Sequence, residues 1–488
     1  MADAVIRVPS PVNEPVRAYA PGSAEKRSLK ARLAELSATP TEVAMHVGGE
    51  RRGGGDRGAL HAPHRHDLKI ADHPVGGDRD VADAIAAALA ARRDWAATPF
   101  PDRAAVFLRA AALLAGPWRD TINAATMLGQ SKTVHQAEID AACELIDFWR
   151  FNVHYAESIH AQQPGSDGAA WNRLEYRPLE GFVFAVTPFN FTSIAGNLPT
   201  AAAIMGNTIV WKPATQTLLV CHLIMELLRE AGLPPGVVNL VTGSAQRIGE
   251  QALGHRELAG VHFTGSTEVF QWMWRQVAGH IGDYRTYPRL VGETGGKDFV
   301  LAHESADVDA LRTALVRGAF EYQGQKCSAA SRAYVPASMW RVMRDGLVAE
   351  VEELRQGDVA DFRNFVGAVI DEAAFKRHSE AIARARADTT ARVVAGGETD
   401  ASTGWFVRPT VIETTDPRYW TMETELFGPI LTVYPYPDGK FEEALELVDT
   451  TSPYALTGAI FARDRDAVRR ADAALVNAAG NFYVNDKP

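Results

Sequence analysis

The residues best placed to do chemistry are an acid and a thiol, each set among glycines. Glu293 lies in Gly292-Glu293-Thr294-Gly295-Gly296-Lys297-Asp298, and Cys327 in Gly324-Gln325-Lys326-Cys327-Ser328-Ala329. They are 327 − 293 = 34 residues apart. Glycines at both places let backbone approach closely, as a narrow substrate tunnel requires. A carboxylate beside a thiol is a poor activator of the thiolate, because like charges oppose each other. It is better suited to activating water against an acyl group carried on the sulfur. Either residue alone reads as a buried thiol or a surface acid, so the pair gains its weight from its surroundings. The other cysteines, Cys143 and Cys221, fall inside helical stretches and read as small core hydrophobes.

Three loops fall where an open α/β sheet places ligands, just beyond strand ends. The first follows the apolar run FVFAVT and reads Thr187-Pro188-Phe189-Asn190-Phe191. Asn190 there can donate its amide to a developing oxyanion or cap a turn. The second follows TIVW and sets Lys212 before Pro213, at a strand end from which a lysine can reach a ribose or phosphate; taken alone it reads as a surface lysine. The third, Phe263-Thr264-Gly265-Ser266-Thr267-Glu268, is a strand end, a Gly-Ser turn and a helix start. Free backbone N–H groups at such a helix start favour a pyrophosphate, although the loop is no G-x-G-x-x-G fingerprint.

The elements that must carry these loops follow from apolar rhythm. Residues 1–40 read as an arm rich in Pro and Ala with one helix over about 24–36. Helices are expected over 80–96, 102–114 and 136–159. From Arg173 onward short apolar runs alternate with helices: FVFAVT, TIVW, VVNLV and GVHF, then from Asp298 DFVLAH, AYVP, ARVVAGG, WFVRPTVIE, PILTVYPY, ALTGAIF and NFYVN. Strands apolar on both faces, alternating with helices, predict doubly wound parallel sheets. The expectation is therefore two α/β domains, 41–295 and 296–488, meeting near residue 295. The Gly/Arg stretch Gly48–Gly58 lacks a P-loop ending and reads as a hairpin turn or loop. His61, His64 and His66 follow it; lacking further ligands, they read as a solvated loop, and no metal is expected.

Composition excludes several classes. The chain has 488 residues, with 50 Lys plus Arg against 60 Asp plus Glu, which argues against a general nucleic-acid or anionic-membrane binder. No apolar run approaches the roughly 18 residues of a spanning helix. The N-terminus carries Asp3 and Glu14 and lacks the apolar stretch of a signal peptide. Three widely spaced cysteines make a disulfide framework or a Cys-based zinc site a poor reading and fit a reducing compartment. The expected location is cytoplasmic.

Taken together, TPFNF, WKPA, FTGSTE, GETGGKD, GQKCSA and ETELFGP (Glu423 to Pro429) resemble the aldehyde dehydrogenase superfamily from about residue 10 to the end. The stretches YRTYPRLVGETGGKDF, EYQGQKCSAASRAYVP and VPSPVNEPVRAYAPGS are similar to its L-glutamate γ-semialdehyde dehydrogenase branch. The resemblance implies a Rossmann-like NAD-binding domain, a catalytic thiol domain and part of an oligomerisation flap, with flap strands near 171–177. It implies Cys327 as nucleophile, Asn190 and the Cys327 N–H as oxyanion donors, and Glu293 as the base for deacylation. It gives cofactor contacts to Thr187, Lys212, Gly265, Ser266, Thr267, Glu425 and Phe427, and places Lys326 and Ser328 beside the substrate. The cofactor implied is NAD, although Thr215 stands where NAD-preferring relatives outside this branch often carry Glu. The implied reaction is the oxidation of a small-molecule semialdehyde to glutamate, the second step of proline breakdown, by a chain without a proline dehydrogenase domain. Alternatives are another semialdehyde dehydrogenase, or an inactive paralogue that only binds dinucleotide. The resemblance also implies a Gly-rich anchor loop and a final flap strand beyond Pro488, and a homo-oligomer once that strand is supplied.

Overall fold

The run Phe182–Thr187 is buried almost throughout, which a strand achieves only in a sheet covered by helices on both faces. In the computed structural model, which describes residues 7–53 and 55–488, it is the third of seven strands. Edge to edge these are Arg289–Thr294, Leu258–Gly265, Phe182–Thr187, Thr208–Pro213, Val238–Leu240, Met45–Val47 and Glu50–Arg52. The four strands from Leu258–Gly265 to Val238–Leu240 pair in parallel, while the last two join antiparallel. Met45–Val47 and Glu50–Arg52 are joined by Gly48 and Gly49 at φ +61° and +88°, the conformation a two-residue hairpin demands. The Gly/Arg stretch thus begins as the hairpin turn expected of it.

This sheet belongs to the first of two units, which holds the chain up to His61, then Leu68–Gln130 and Val134–Glu293. Helix Asp78–Ala97 lays Val81, Ala84, Ile85 and Ala88 against Phe184, Val210 and Val261 of the sheet. Each large apolar side chain so buried stabilises the unit by about 1.5–3 kcal/mol. The helix expected over 136–159 forms as Val134–Ala137 and Glu144–His160, joined by a π-helical turn, Glu138–Cys143. That turn carries Glu138, wholly buried, to which Tyr19 Oη and Asn123 Nδ2 each donate at 2.8 Å. Arg119, 1% exposed, completes the pair. Arg119 also pairs with Glu14, so removing Glu138 leaves the buried guanidinium half-neutralised and strips Tyr19 and Asn123 of their shared acceptor. Glu138→Ala should therefore lower unfolding free energy by about 3–5 kcal/mol, measured by urea titration.

The second unit holds Ala62–Asp67, Ser131–Thr133 and Thr294–Pro488. Its sheet also has seven strands, in the order Ala391–Ala395, Thr410–Thr414, Ile430–Tyr436, Arg332–Pro336, Phe299–Ala302, Thr457–Phe461 and Asn481–Val484. All neighbours are parallel except the first pair. Its core joins Leu311, Leu315 and Phe320 of helix Val308–Phe320 to Val300, Val335 and Leu431 of the strands.

Two expectations change. The three histidines lie on a hairpin, strands Asp56–Ala62 and Arg65–Val75, rather than in a solvated loop. Each has its own setting: His61 on the first strand is exposed, His64 in the turn is 2% exposed, and His66 on the second strand packs its ring 4.2 Å from that of Trp405. Residues 171–177 form no ladder among the described residues, and Trp171 is 89% exposed. A strand needs a partner for its backbone groups, and here Gln163 supplies local bonds to Leu174 instead.

Candidate active site

Parallel register places the expected cofactor loops of the first unit side by side. Val186 pairs with Lys212 on one neighbour and with Phe263 on the other. The chain therefore leaves three adjacent strands at one edge of the sheet, where the strand order reverses and a ligand crevice forms. Thr187 ends the middle strand, and its Oγ1 accepts from Trp211 Nε1 at 2.9 Å. Asn190, 3% exposed, stands just before helix Thr192–Ile204. Thr192 Oγ1 there accepts from Gln130 Nε2 at 2.7 Å, which fixes the start of that helix.

A cleft of about 430 Å³ opens beside these loops, lined by Phe184, Val186, Lys212, Gln246, Val269 and Trp272 among others. Its walls are mostly apolar, and helices Ala245–Leu253 and Thr267–Gly279 flank it. Lys212 is 8% exposed and has no carboxylate partner among the described residues, and burial lowers its pKa. An apolar slot with one buried, unpaired ammonium fits the ribose and ring of an adenine nucleotide. Ser266 caps helix Thr267–Gly279, its Oγ accepting from Val269 N at 3.3 Å. Gly265 precedes it, and a Cβ there would come within 2.6 Å of the Phe263 ring. The open N–H groups of this helix start suit a pyrophosphate.

Glu293 ends this unit on strand Arg289–Thr294. Its side chain reaches solvent, yet the protein around it removes enough water to raise the carboxyl above the ordinary carboxylate range. A base with a raised pKa holds a proton more firmly than a free carboxylate, which suits it to take one from water.

The second unit carries Cys327, Glu425 and Phe427. Cys327 is partly exposed, whereas burial pushes the Cys143 and Cys221 thiols up to about 12 and leaves them inert. Both therefore sit in the core as expected. Asp298 braces the loop that follows Cys327. Its carbonyl accepts from Ser331 N at 3.2 Å, and Thr457 Oγ1 lies 2.6 Å from its carboxylate and 3.2 Å from the Ser328 carbonyl. Burial raises Asp298 to about 7 and lowers the neighbouring Lys297 to about 7. Both lie in the GETGGKD motif, but neither is assigned a role there from sequence, because what they do follows from their burial.

Glu425 packs its carboxylate on the backbone of Gly295, where a Cβ would meet both oxygens at 2.4 Å, and takes the Gly296 N–H at 3.3 Å. The paired glycines of the acid loop are thus explained by a close approach. Burial raises the Glu425 pKa, and Lys297 opposes that rise. Phe427 has φ +56°. Lys326 points its ammonium at Glu321, 3.6 Å away, and Arg317 pairs with the same acid.

His46, His222 and Glu226 also bring ligand atoms within 4.8 Å of one another. Their polar atoms already serve each other: the two rings share a hydrogen bond at 2.9 Å, and Arg51 holds both Glu226 oxygens.

A chain with a mostly apolar cleft beside a strand-order reversal in one unit and a Gly-bounded thiol in the other is similar to known proteins. The aldehyde dehydrogenase family model matches residues 53–488, and the chain belongs to that family. It is 47% identical over 483 residues to the mitochondrial delta-1-pyrroline-5-carboxylate dehydrogenase of Dictyostelium discoideum, covering 98% of this chain and 87% of that one. To the human mitochondrial protein of the same name it is 46% identical over 476 residues, 97% of this chain and 84% of that one. The crystal structure of the Mycobacterium tuberculosis delta-pyrroline-5-carboxylate dehydrogenase bound with NAD is 56% identical and superposes with a TM-score of 0.97. That likeness covers 100% of this chain and 90% of the other.

Proposed function

We propose that this chain is an NAD-dependent dehydrogenase that oxidises L-glutamate γ-semialdehyde, the open form of 1-pyrroline-5-carboxylate, to L-glutamate in proline breakdown. The observation that carries the reading is 56% identity, over the whole of this chain, to a delta-pyrroline-5-carboxylate dehydrogenase solved with NAD. Within it, each residue takes the role its motif implies. The Cys327 thiolate adds to the aldehyde carbon, and Asn190 with the Cys327 N–H stabilises the resulting oxyanion. Bound NAD supplies a hydride acceptor, so that collapse of the thiohemiacetal leaves a thioester on the sulfur. Glu293 takes a proton from water, the hydroxide displaces sulfur from the acyl carbon, and glutamate departs. Lys212 would contact the adenosine ribose, Gly265 and Ser266 the pyrophosphate, Glu425 the nicotinamide ribose and Phe427 the nicotinamide ring, with Thr187 and Thr267 as further cofactor contacts, and Lys326 and Ser328 would flank the substrate.

Comparing kcat/KM across a panel of short semialdehydes tests the substrate. The glutamate compound should lead by roughly tenfold or more, since charged groups at its α-carbon add binding energy that smaller aldehydes lack. Equal rates across the panel would return the reading to a general semialdehyde dehydrogenase. Lys212→Ala should raise the KM for NAD by roughly 10- to 100-fold, the worth of one charge-assisted hydrogen bond, with a smaller effect on kcat. No described helix is long and apolar enough to cross a membrane. Three free thiols fit a reducing compartment, the cytoplasm in our reading, while the relatives above are named mitochondrial. A homo-oligomer, as the resemblance implies, is part of the same proposal.

A further inference from the structure

Ahead of the nucleophile the backbone does something costly. Tyr322, Gln323 and Gly324 take φ of +51°, +55° and +63° in succession, a left-handed turn. L-residues other than glycine avoid that region, and two in a row persist only when the surrounding structure over-determines them. Gln323, wholly buried, supplies much of that determination. Its Oε1 accepts from Gly367 N at 3.0 Å, and its Nε2 donates to Ala368 O at 2.7 Å and to Ser131 O at 3.2 Å. Ser131, itself at φ +55°, accepts from Ala368 N through Oγ at 2.9 Å. Next to it the Lys132 ammonium lies 4.3 Å from the centre of the Tyr322 ring. Beyond the turn, Gln325 Oε1 accepts from Ile370 N at 2.9 Å. Gly324 has no room for a side chain: a Cβ would stand 2.3 Å from Gly428 O.

The turn is therefore clamped from two sides, by a short strap at 131–133 and by the segment 367–370, and Gln323 bridges them. Three residues after the turn comes Cys327. We propose that Gln323 is a positioning residue for Cys327, holding the left-handed turn that sets where the sulfur points. The inference rests on the reading of Cys327 as nucleophile. A sulfur a fraction of an ångström off line loses rate at the addition step, while the adenosine end of the cofactor, given to Lys212 of the other unit, is untouched. Its ionisation also changes, because thiol pKa follows the local backbone dipoles.

The test compares the full chain with Gln323→Met, which keeps side-chain length and deletes all three hydrogen bonds. It uses four readouts: the NADH burst rate, the Kd for NAD, the KM for the semialdehyde, and the pH profile of Cys327 alkylation by iodoacetamide. Gln323→Met should slow the burst at least roughly tenfold, hold Kd and KM within about threefold, and move the alkylation midpoint by about half a pH unit or more. Ser131→Ala, which loses one bond, should show the same pattern more weakly. A folded Gln323→Met protein with wild-type burst and alkylation profile overturns the proposal, even if its melting temperature falls. Should that variant not fold, Ser131→Ala and Gln323→Glu decide by the same readouts, and wild-type values in both overturn it. A wild-type chain that gives no burst with glutamate semialdehyde counts against the substrate reading alone. The alkylation comparison then still judges Gln323.

Discussion

Replacing Cys327 with alanine is expected to reduce NADH formation by a factor on the order of 10⁴ or more, because the covalent route has no substitute nucleophile. The other two thiols cannot take over. Cys143 and Cys221 are buried, and both are held protonated with pKa near 12. Cys327 is not among the residues assigned to NAD, and the cleft proposed for its adenosine end lies in the first unit, so Cys327→Ala should bind NAD within a few-fold of wild type. Stopped-flow absorbance for NADH and a fluorescence titration for cofactor separate the two effects. Turnover within tenfold of wild type in the alanine variant would end the thioester mechanism. Cys143→Ala and Cys221→Ala should keep full catalytic rate and lose stability only, by about 1 kcal/mol as small core deletions do.

Much of the frame was legible because its strands are apolar on both faces. FVFAVT and TIVW became strands Phe182–Thr187 and Thr208–Pro213, and FVLA of the second series became Phe299–Ala302. The strands before residue 76 were not legible. Glu50–Arg52 and Asp56–Ala62 carry Glu, Arg, Asp and His, and their strand state comes from ladder partners rather than from residue type. Helix Arg119–Gln130 was missed for a different reason: it is buried along nearly its whole length, Arg119, Asn123, Thr126 and Gln130 included, so its polar residues do not mark a solvent face. At the site, motifs nominated the residues proposed to meet ligand, because their types and their places beyond strand ends suggest that chemistry. The residues that brace them did not show. Nothing in local spacing links Ser131 to Gln323, 192 residues away, or Asp298 to Thr457, 159 residues away. Burial joins them, and burial appears only in three dimensions.

Glu293→Gln should separate the two halves of the reaction. Addition of the thiol and loss of hydride do not need this carboxylate, so the first turnover should still release a burst of NADH close to the enzyme concentration. The thioester then waits for water that no base activates, and steady-state turnover should fall by about 10²- to 10⁴-fold, the usual worth of a positioned base. The wild-type pH profile should report the same group. Desolvation raises the Glu293 carboxyl above the ordinary range, and only its ionised form can accept a proton from water. Steady-state rate should therefore rise with pH through an inflection above the usual carboxylate value, and below it the acyl-enzyme should accumulate. Glu293→Gln should lose that inflection while its burst rate keeps the wild-type pH dependence. Hydroxylamine supplies a nucleophile that needs no general base, and should restore turnover of the glutamine variant with formation of the hydroxamate. A Gln variant with wild-type steady-state rate, or one with neither burst nor rescue, would remove Glu293 from the deacylation step.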